Sequence, residues 1–290
     1  VNSGTEANEA AIKLARKATG RHKIISFKGS YHGNTTGSMA ISFNEEKKSV
    51  FRPLMPGTSF IELNNIDDLQ KIDDETAGVF LETIQGDAGV RIPDKLYLKK
   101  LKERCKQTNT LLVFDEIQCG LGRTAKNFAF EHFDVVPDIL TLGKALGGGM
   151  SIGALICNKE LMQMFSNNPM LGHITTFGGH PVNCAAAVAF LEVLKSEIDY
   201  KEVERRAKIL EDLLIKSRHV KEIRRIGMMY AVDMESSEKV NSVVSKCLEK
   251  GLISFWFLSH PNSFRLSPPI NISEDEIIKA GTIILDAFEE

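Results

Sequence analysis

Leu111-Leu112-Val113-Phe114-Asp115-Glu116-Ile117-Gln118 is the stretch from which the fold is read: four apolar residues end on a carboxylate, and a turn with Gly120 and Gly122 follows. Four apolar side chains in succession leave no polar face, so the segment predicts a strand covered on both sides, as in a parallel sheet between helices. Short runs of the same kind stand at 24–27, 79–81, 139–142 and 152–157, with helical stretches over 94–106 and 159–165. Ahead of them all, Ala7, Ala10, Ala11, Leu14, Ala15 and Ala18 recur at helical spacing while Lys13, Arg16 and Lys17 take the opposite face.

Beyond about Pro181 the pattern changes. A long helix is predicted to about Lys195, a highly charged one over 199–217, strands at 230–234 and 264–266, and a last helix that Ser273 opens with Glu276 as its capping box. The fold class is therefore α/β: a large domain over 1–194 with a mostly parallel central sheet covered by helices, and a smaller α+β domain over 195–290. The chain opens at Val1 rather than Met, directly before a helix start, and is expected to be a fragment or processed chain with material ahead of it.

Composition narrows the function. The 290 residues are 43% hydrophobic, and 36 Lys and Arg face 38 Asp and Glu, for a net charge of −2. Such a chain folds around a sizeable core and lacks the basic footprint that nucleic acid binding needs. Five scattered cysteines with no C-x-x-C pair suggest neither disulfides nor a zinc site and fit a reducing, cytoplasmic setting. No apolar run approaches the ~18 residues of a membrane span. His32, His173 and His180 match no common metal-ligand spacing, so no metal is expected.

Three positions carry chemistry. Ser3-Gly4-Thr5 precedes the first helix, where unpaired N–H groups favour an anion, although a plain helix cap has the same appearance. Asp115 stands at a strand end, in the crevice where open α/β sheets bind ligands. Lys144 follows the strand 139–142 and precedes Gly147-Gly148-Gly149, a placement suited to a Schiff-base lysine as well as to an ordinary loop lysine. Together they supply what pyridoxal 5'-phosphate requires: a phosphate anchor, a partner for the pyridine nitrogen and a partner for the aldehyde.

The chain resembles the class III (ω-amino-acid) aminotransferases of the fold type I pyridoxal-phosphate enzymes, of the ornithine and acetylornithine kind. The resemblance rests on Asn2-Ser3-Gly4-Thr5-Glu6-Ala7, Tyr31-His32-Gly33, Glu82 with Ile84-Gln85-Gly86, Asp115-Glu116-Ile117-Gln118, Gly120-Leu121-Gly122-Arg123-Thr124, Gly143-Lys144-Ala145-Leu146, Thr176-Phe177-Gly178-Gly179 and Phe264-Arg265-Leu266. It implies Lys144 as the Schiff-base and proton-moving lysine and Asp115 as partner of the ring nitrogen. Ser3, Gly4 and Thr5 would hold the phosphate, Tyr31 and Ile117 would cover the two ring faces, Gln118 would reach the ring hydroxyl, and His32 would belong to the same site. Arg265 would clamp a substrate carboxylate with Glu82 as its acidic partner, and Thr176 would complete the neighbour's site in an obligate homodimer.

The implied reaction moves an amino group from an ω-amino acid or diamine acid to a 2-oxo acid such as 2-oxoglutarate. An aminomutase or decarboxylase of the same fold, or a non-catalytic fragment, are the alternatives; nucleotide binding is weak because no GxxxxGK[ST] loop is present. The chain departs from relatives acting on acetylornithine at Asn34, where Arg is usual, and from the common pattern at Thr83, Asp87 and His180.

Overall fold

Helix α1 (Gly4–Thr19) starts at Ser3, whose hydroxyl accepts the Glu6 N–H at 3.2 Å, and stops at Gly20, whose left-handed φ of 69° lets its N–H turn back to the Arg16 carbonyl. The structure, a computed structural model, describes residues 1–289. Six strands form one sheet in the order β2 (Thr58–Ile61), β1 (Lys23–Phe27), β3 (Thr76–Glu82), β4 (Leu111–Asp115), β5 (Ile139–Leu142) and β6 (Ala154–Cys157). All neighbours run parallel except β6, which returns antiparallel beside β5.

Alternation along each strand explains why both sheet faces are apolar. Ile24, Phe80, Val113 and Ile139 pack with Ala11, Leu14 and Ala15 of α1, while Ile25, Leu81, Leu112 and Phe114 pack on the other side with Tyr97, Leu98 and Leu101 of α4 (Lys95–Gln107). The alanines let α1 lie close to the sheet: a Cβ at Gly78 in β3 would stand 3.1 Å from the Ala15 Cβ. Strand order reverses between β1 and β3, so the crevice belongs at the carboxyl ends of the central strands.

A second sheet, antiparallel in the order β7 (Glu222–Ile226), β8 (Met229–Asp233), β10 (Ser263–Leu266) and β9 (Phe255–Trp256), follows in the chain. Helices α7 (Tyr200–Leu214), α8 (Ser237–Glu249) and α9 (Glu274–Glu289) supply its core, with Leu210, Tyr230, Val243, Phe264 and Ile284 buried together. The predicted capping box opens α9: the Ser273 N–H donates to Glu276 at 2.9 Å and the Glu276 N–H to the Ser273 hydroxyl at 3.3 Å. Helix α6 (Pro181–Ser196) buries only Ala187 and Leu194. The short helices α2 (Thr36–Ala40), α3 (Glu45–Lys48) and α5 (Lys159–Gln163) complete the fold.

Several boundaries differ from expectation. The strand expected from 152 begins at Ala154, because Ile152 lines a cavity and Gly153 instead bonds the Val1 backbone in both directions, at 3.0 and 3.2 Å. The charged helix ends at Leu214 rather than 217, and Asp199 is its cap, accepting the Lys201 N–H at 2.8 Å. The helix expected over 159–165 tightens into a 3-10 turn from Met164. Among the described residues no helix is long and apolar enough to cross a membrane.

Candidate active site

The carboxyl ends of β3, β4 and β5 carry Glu82, Asp115 and, just beyond, Lys144. Register pairs Glu82 with Asp115 and Asp115 with Thr141, so the three strand ends are held side by side. Lys144 begins a 3-10 turn after Gly143 and sits at a φ of 45°, left-handed for a residue with a side chain and a strain typical of functional loops. Its side chain is exposed and has no hydrogen bond or ion pair among the described residues.

Asp115 is buried and fully organised. One oxygen, Oδ1, accepts the Ile117 N–H at 3.0 Å; the other, Oδ2, accepts the Asn8 amide at 2.7 Å and lies 2.8 Å from His32 Nδ1. An ionised carboxylate only accepts, so His32 Nδ1 carries the proton in that contact, leaving Nε2 buried with no partner among the described residues. The N–H groups of Gly4 and Thr5 have no acceptor among the described residues, and the absence of a side chain at Gly4 makes room for Ile117, whose Cδ1 would stand 2.6 Å from a Cβ there. Gly143 does the same for the lysine loop: a Cβ would be 3.1 Å from Gly4 Cα.

Lys144, Asp115, His32, Gly4, Thr5 and Ile117 line one cavity of about 370 Å³, together with Ser3, Tyr31, Gln118 and Glu82. A second cavity of about 710 Å³ shares Tyr31, Ile117, Gln118 and Lys144 with it and adds Arg265, Asp87 and Leu258. Arg265 lies with its guanidinium carbon 5.1 Å from the Phe255 ring centre. No ion pair joins it to Glu82, the acidic partner expected from sequence. Glu82 instead lies in the first cavity and accepts the Tyr31 N–H at 3.1 Å. Burial, and then the neighbouring Asp115 charge, push the Glu82 carboxyl well above its ordinary range. Thr176 is exposed and lines neither cavity.

Sequence reasoning missed Asn8, a polar residue on the otherwise apolar stripe of α1, and that interruption was the available signal. It also missed what Asp87 does: the carboxylate accepts the Leu258 N–H at 3.2 Å and the Ser259 hydroxyl at 3.1 Å, joining the loop after β3 to the loop after β9. Among the described residues no cluster of three or more His, Cys, Asp and Glu side chains could hold a metal ion.

The cavity suits pyridoxal 5'-phosphate on its own terms. Free N–H groups at a helix start favour a phosphate, the side-chain-free Gly4 and Gly143 let the helix start, Ile117 and the lysine loop pack together around the cavity, an ionised acid with an open acceptor direction suits a ring nitrogen, and an unpaired amine lines the same space. Comparison with known proteins agrees. The Aminotransferase class-III model matches residues 1–288. The chain is 40% identical to the acetylornithine aminotransferase of Methanocaldococcus jannaschii, over 100% of this chain and 74% of that one. It superposes on the ornithine aminotransferase of Toxoplasma gondii ME49 with a TM-score of 0.92 at 35% identity, covering 100% of this chain and 72% of that one. Another structure of the Toxoplasma gondii enzyme, with a TM-score of 0.91 and 35% identity over 99% of this chain and 71% of that one, has partial occupancy of PLP at its active site. The chain belongs to the class III aminotransferases, enzymes that use pyridoxal 5'-phosphate.

Proposed function

We propose that this enzyme moves the terminal amino group of an ω-amino acid or diamine acid, of the ornithine and acetylornithine kind, to a 2-oxo acid such as 2-oxoglutarate. The observation that carries the reading is the convergence of Lys144, Asp115 and the Gly4–Thr5 helix start on one cavity. The bound cofactor supplies an aldehyde carbon that amines attack and a pyridinium ring that draws electron density from the carbon being deprotonated. Lys144 Nζ would hold the cofactor and, as an amine lining the same cavity, would move the proton between carbon atoms. Asp115 would keep the ring nitrogen protonated, and the Gly4 and Thr5 N–H groups with the Thr5 and Ser3 hydroxyls would hold the phosphate. Tyr31 and Ile117 would cover the ring faces and Gln118 would reach the ring hydroxyl, while His32 buttresses Asp115. Arg265 binds a substrate carboxylate in the larger cavity, while buried Glu82 borders the donor side.

The division into a cofactor domain over 1–194 and a smaller domain over 195–290 is supported by the two separate sheets. A homodimer in which Thr176 completes the neighbour's phosphate site is supported by the run of exposed apolar side chains around it, Met170, Leu171, Ile174, Phe177, Val182 and Val188. Cytoplasmic location rests on the scattered free cysteines. A mutase or decarboxylase of the same fold is disfavoured, since the similar relatives carry aminotransferase names.

Incubation of the cofactor-loaded enzyme with ornithine-like donors and 2-oxoglutarate is expected to produce glutamate, and Lys144→Ala to lower the rate roughly a thousandfold or more. Wild-type-like turnover in that variant, or donor consumption with no requirement for a 2-oxo acid, contradicts the proposal.

A further inference from the structure

Asn8 is wholly buried in the first turns of α1, yet each polar atom of its amide is engaged. Nδ2 donates to Asp115 Oδ2 at 2.7 Å and to the His32 carbonyl at 2.8 Å, while Oδ1 accepts the Thr141 hydroxyl at 2.9 Å. That single side chain ties the helix bearing the phosphate anchor to three other segments: the loop after β1, the end of β4 and the end of β5. The Asp115 carboxylate and the His32 carbonyl fix which way the amide faces, because both can only accept and so require Nδ2, while the Thr141 hydroxyl donating to Oδ1 anchors the amide to β5.

The consequence for Asp115 follows from counting lone pairs. A carboxylate has about four acceptor directions, two on each oxygen. Oδ2 spends both, on Asn8 and on His32 Nδ1, whereas Oδ1 spends one, on the Ile117 N–H. We propose that Asn8 is a positioning residue for the cofactor: with His32 it saturates Oδ2, holds the carboxylate in one orientation, and so reserves Oδ1 as the atom that meets the pyridinium N–H. This rests on the assignment of Asp115 to the ring nitrogen and extends it to the residues that enforce it. The other ionisable groups facing Asp115 are Glu82 on the adjacent strand, Lys144 beyond β5 and Cys119, whose thiol lies 3.7 Å from the Asp115 carbonyl, and all three are retained in every variant below.

The test uses holoenzyme loaded with pyridoxal 5'-phosphate labelled with 15N in the ring, whose NMR signal separates protonated from unprotonated nitrogen. Its midpoint is followed across a pH series for wild type, Asp115→Ala, Asn8→Ala and Thr141→Val. Asp115→Ala must move the signal toward the unprotonated position; if it does not, the assignment of Asp115 itself fails, whatever Asn8 does. With that established, Asn8→Ala is expected to lower the midpoint by about one pH unit, because a carboxylate no longer held in place through Oδ2 loses part of its close ion pair with the ring nitrogen, and a close opposite charge raises a cation's midpoint by roughly one to three units. Thr141→Val, which keeps the shape of the site but removes the bond that anchors the Asn8 amide to β5, is expected to shift it in the same direction by less. A midpoint unchanged in Asn8→Ala overturns the role of Asn8 while leaving Asp115 in place. If Asn8→Ala does not fold, Thr141→Val decides: an unchanged midpoint there overturns the proposal equally.

Discussion

Glu116 follows the central carboxylate and faces the other way. Both its oxygens accept backbone N–H groups at 2.7 Å, from Ala129 and Phe130, so it caps the short turn that begins there. Burial outweighs those two bonds and raises its carboxyl from the ordinary 4.5 to about 7. An acid whose folded value is raised binds its proton more tightly in the native state. Its stabilising contribution is present below pH ~4.5 and is lost as pH rises toward about 7. The unfolding free energy of wild type relative to Glu116→Gln is therefore expected to fall by roughly 3 kcal/mol across that window and stay level above it. Urea denaturation of both proteins at several pH values measures this, and a constant difference from pH 4 to 8 contradicts it. The same logic of place separates residues that sequence revealed from those it hid. Asp115 and Lys144 were legible because each ends an apolar strand and topology alone puts strand ends at the crevice. Glu82 was legible as a site residue but not in its partner, because its bond to the Tyr31 N–H spans 51 positions and no local pattern encodes it.

Among elements, α1 and the loop from Gly143 depend on one another. Gly143 is required by the approach of Gly4, not by an unusual backbone, since its φ of −174° is ordinary extended chain. Gly143→Ala places a Cβ about 3.1 Å from Gly4 Cα, which neither backbone can escape without moving the helix start. Cofactor affinity is expected to weaken about tenfold or more, since small displacements of an anchor cost heavily, while the far-ultraviolet spectrum stays wild-type. Fluorescence titration with pyridoxal 5'-phosphate checks it, and unaltered affinity would contradict the packing account. Elements with long apolar runs or strong caps, such as β3, β4, α1 and α9, were legible because burial on both faces or a capping box leaves a local imprint. The strand β2, with three half-buried residues, and the two-residue β9 left none. Their formation is decided by the neighbours they pair with, Ile24 to Phe27 for the one and Phe264 with Arg265 for the other.

At the scale of the molecule, α6 is an apolar helix with its outer residues uncovered. Val188, Leu191 and Val193 are exposed although nothing about their chemistry favours water. Covering by a second copy predicts that Val188→Glu with Leu191→Glu converts a dimer into a monomer in sedimentation velocity, with the fold retained; a variant that sediments as wild type contradicts the assembly. The two sheets are joined beside the larger cavity by Asp87 with Leu258 and Ser259, and by Arg224, which donates to the Gly89 carbonyl at 2.7 Å. The proposed function turns on one lysine, lining the same cavity as Asp115 and the α1 helix start, as the residue that holds the cofactor. Borohydride reduction of the loaded enzyme, followed by digestion and peptide mass mapping, tests it most directly. The account predicts a phosphopyridoxyl group on the peptide containing Lys144 and on no other; the label on a different lysine, or none at Lys144, would contradict it.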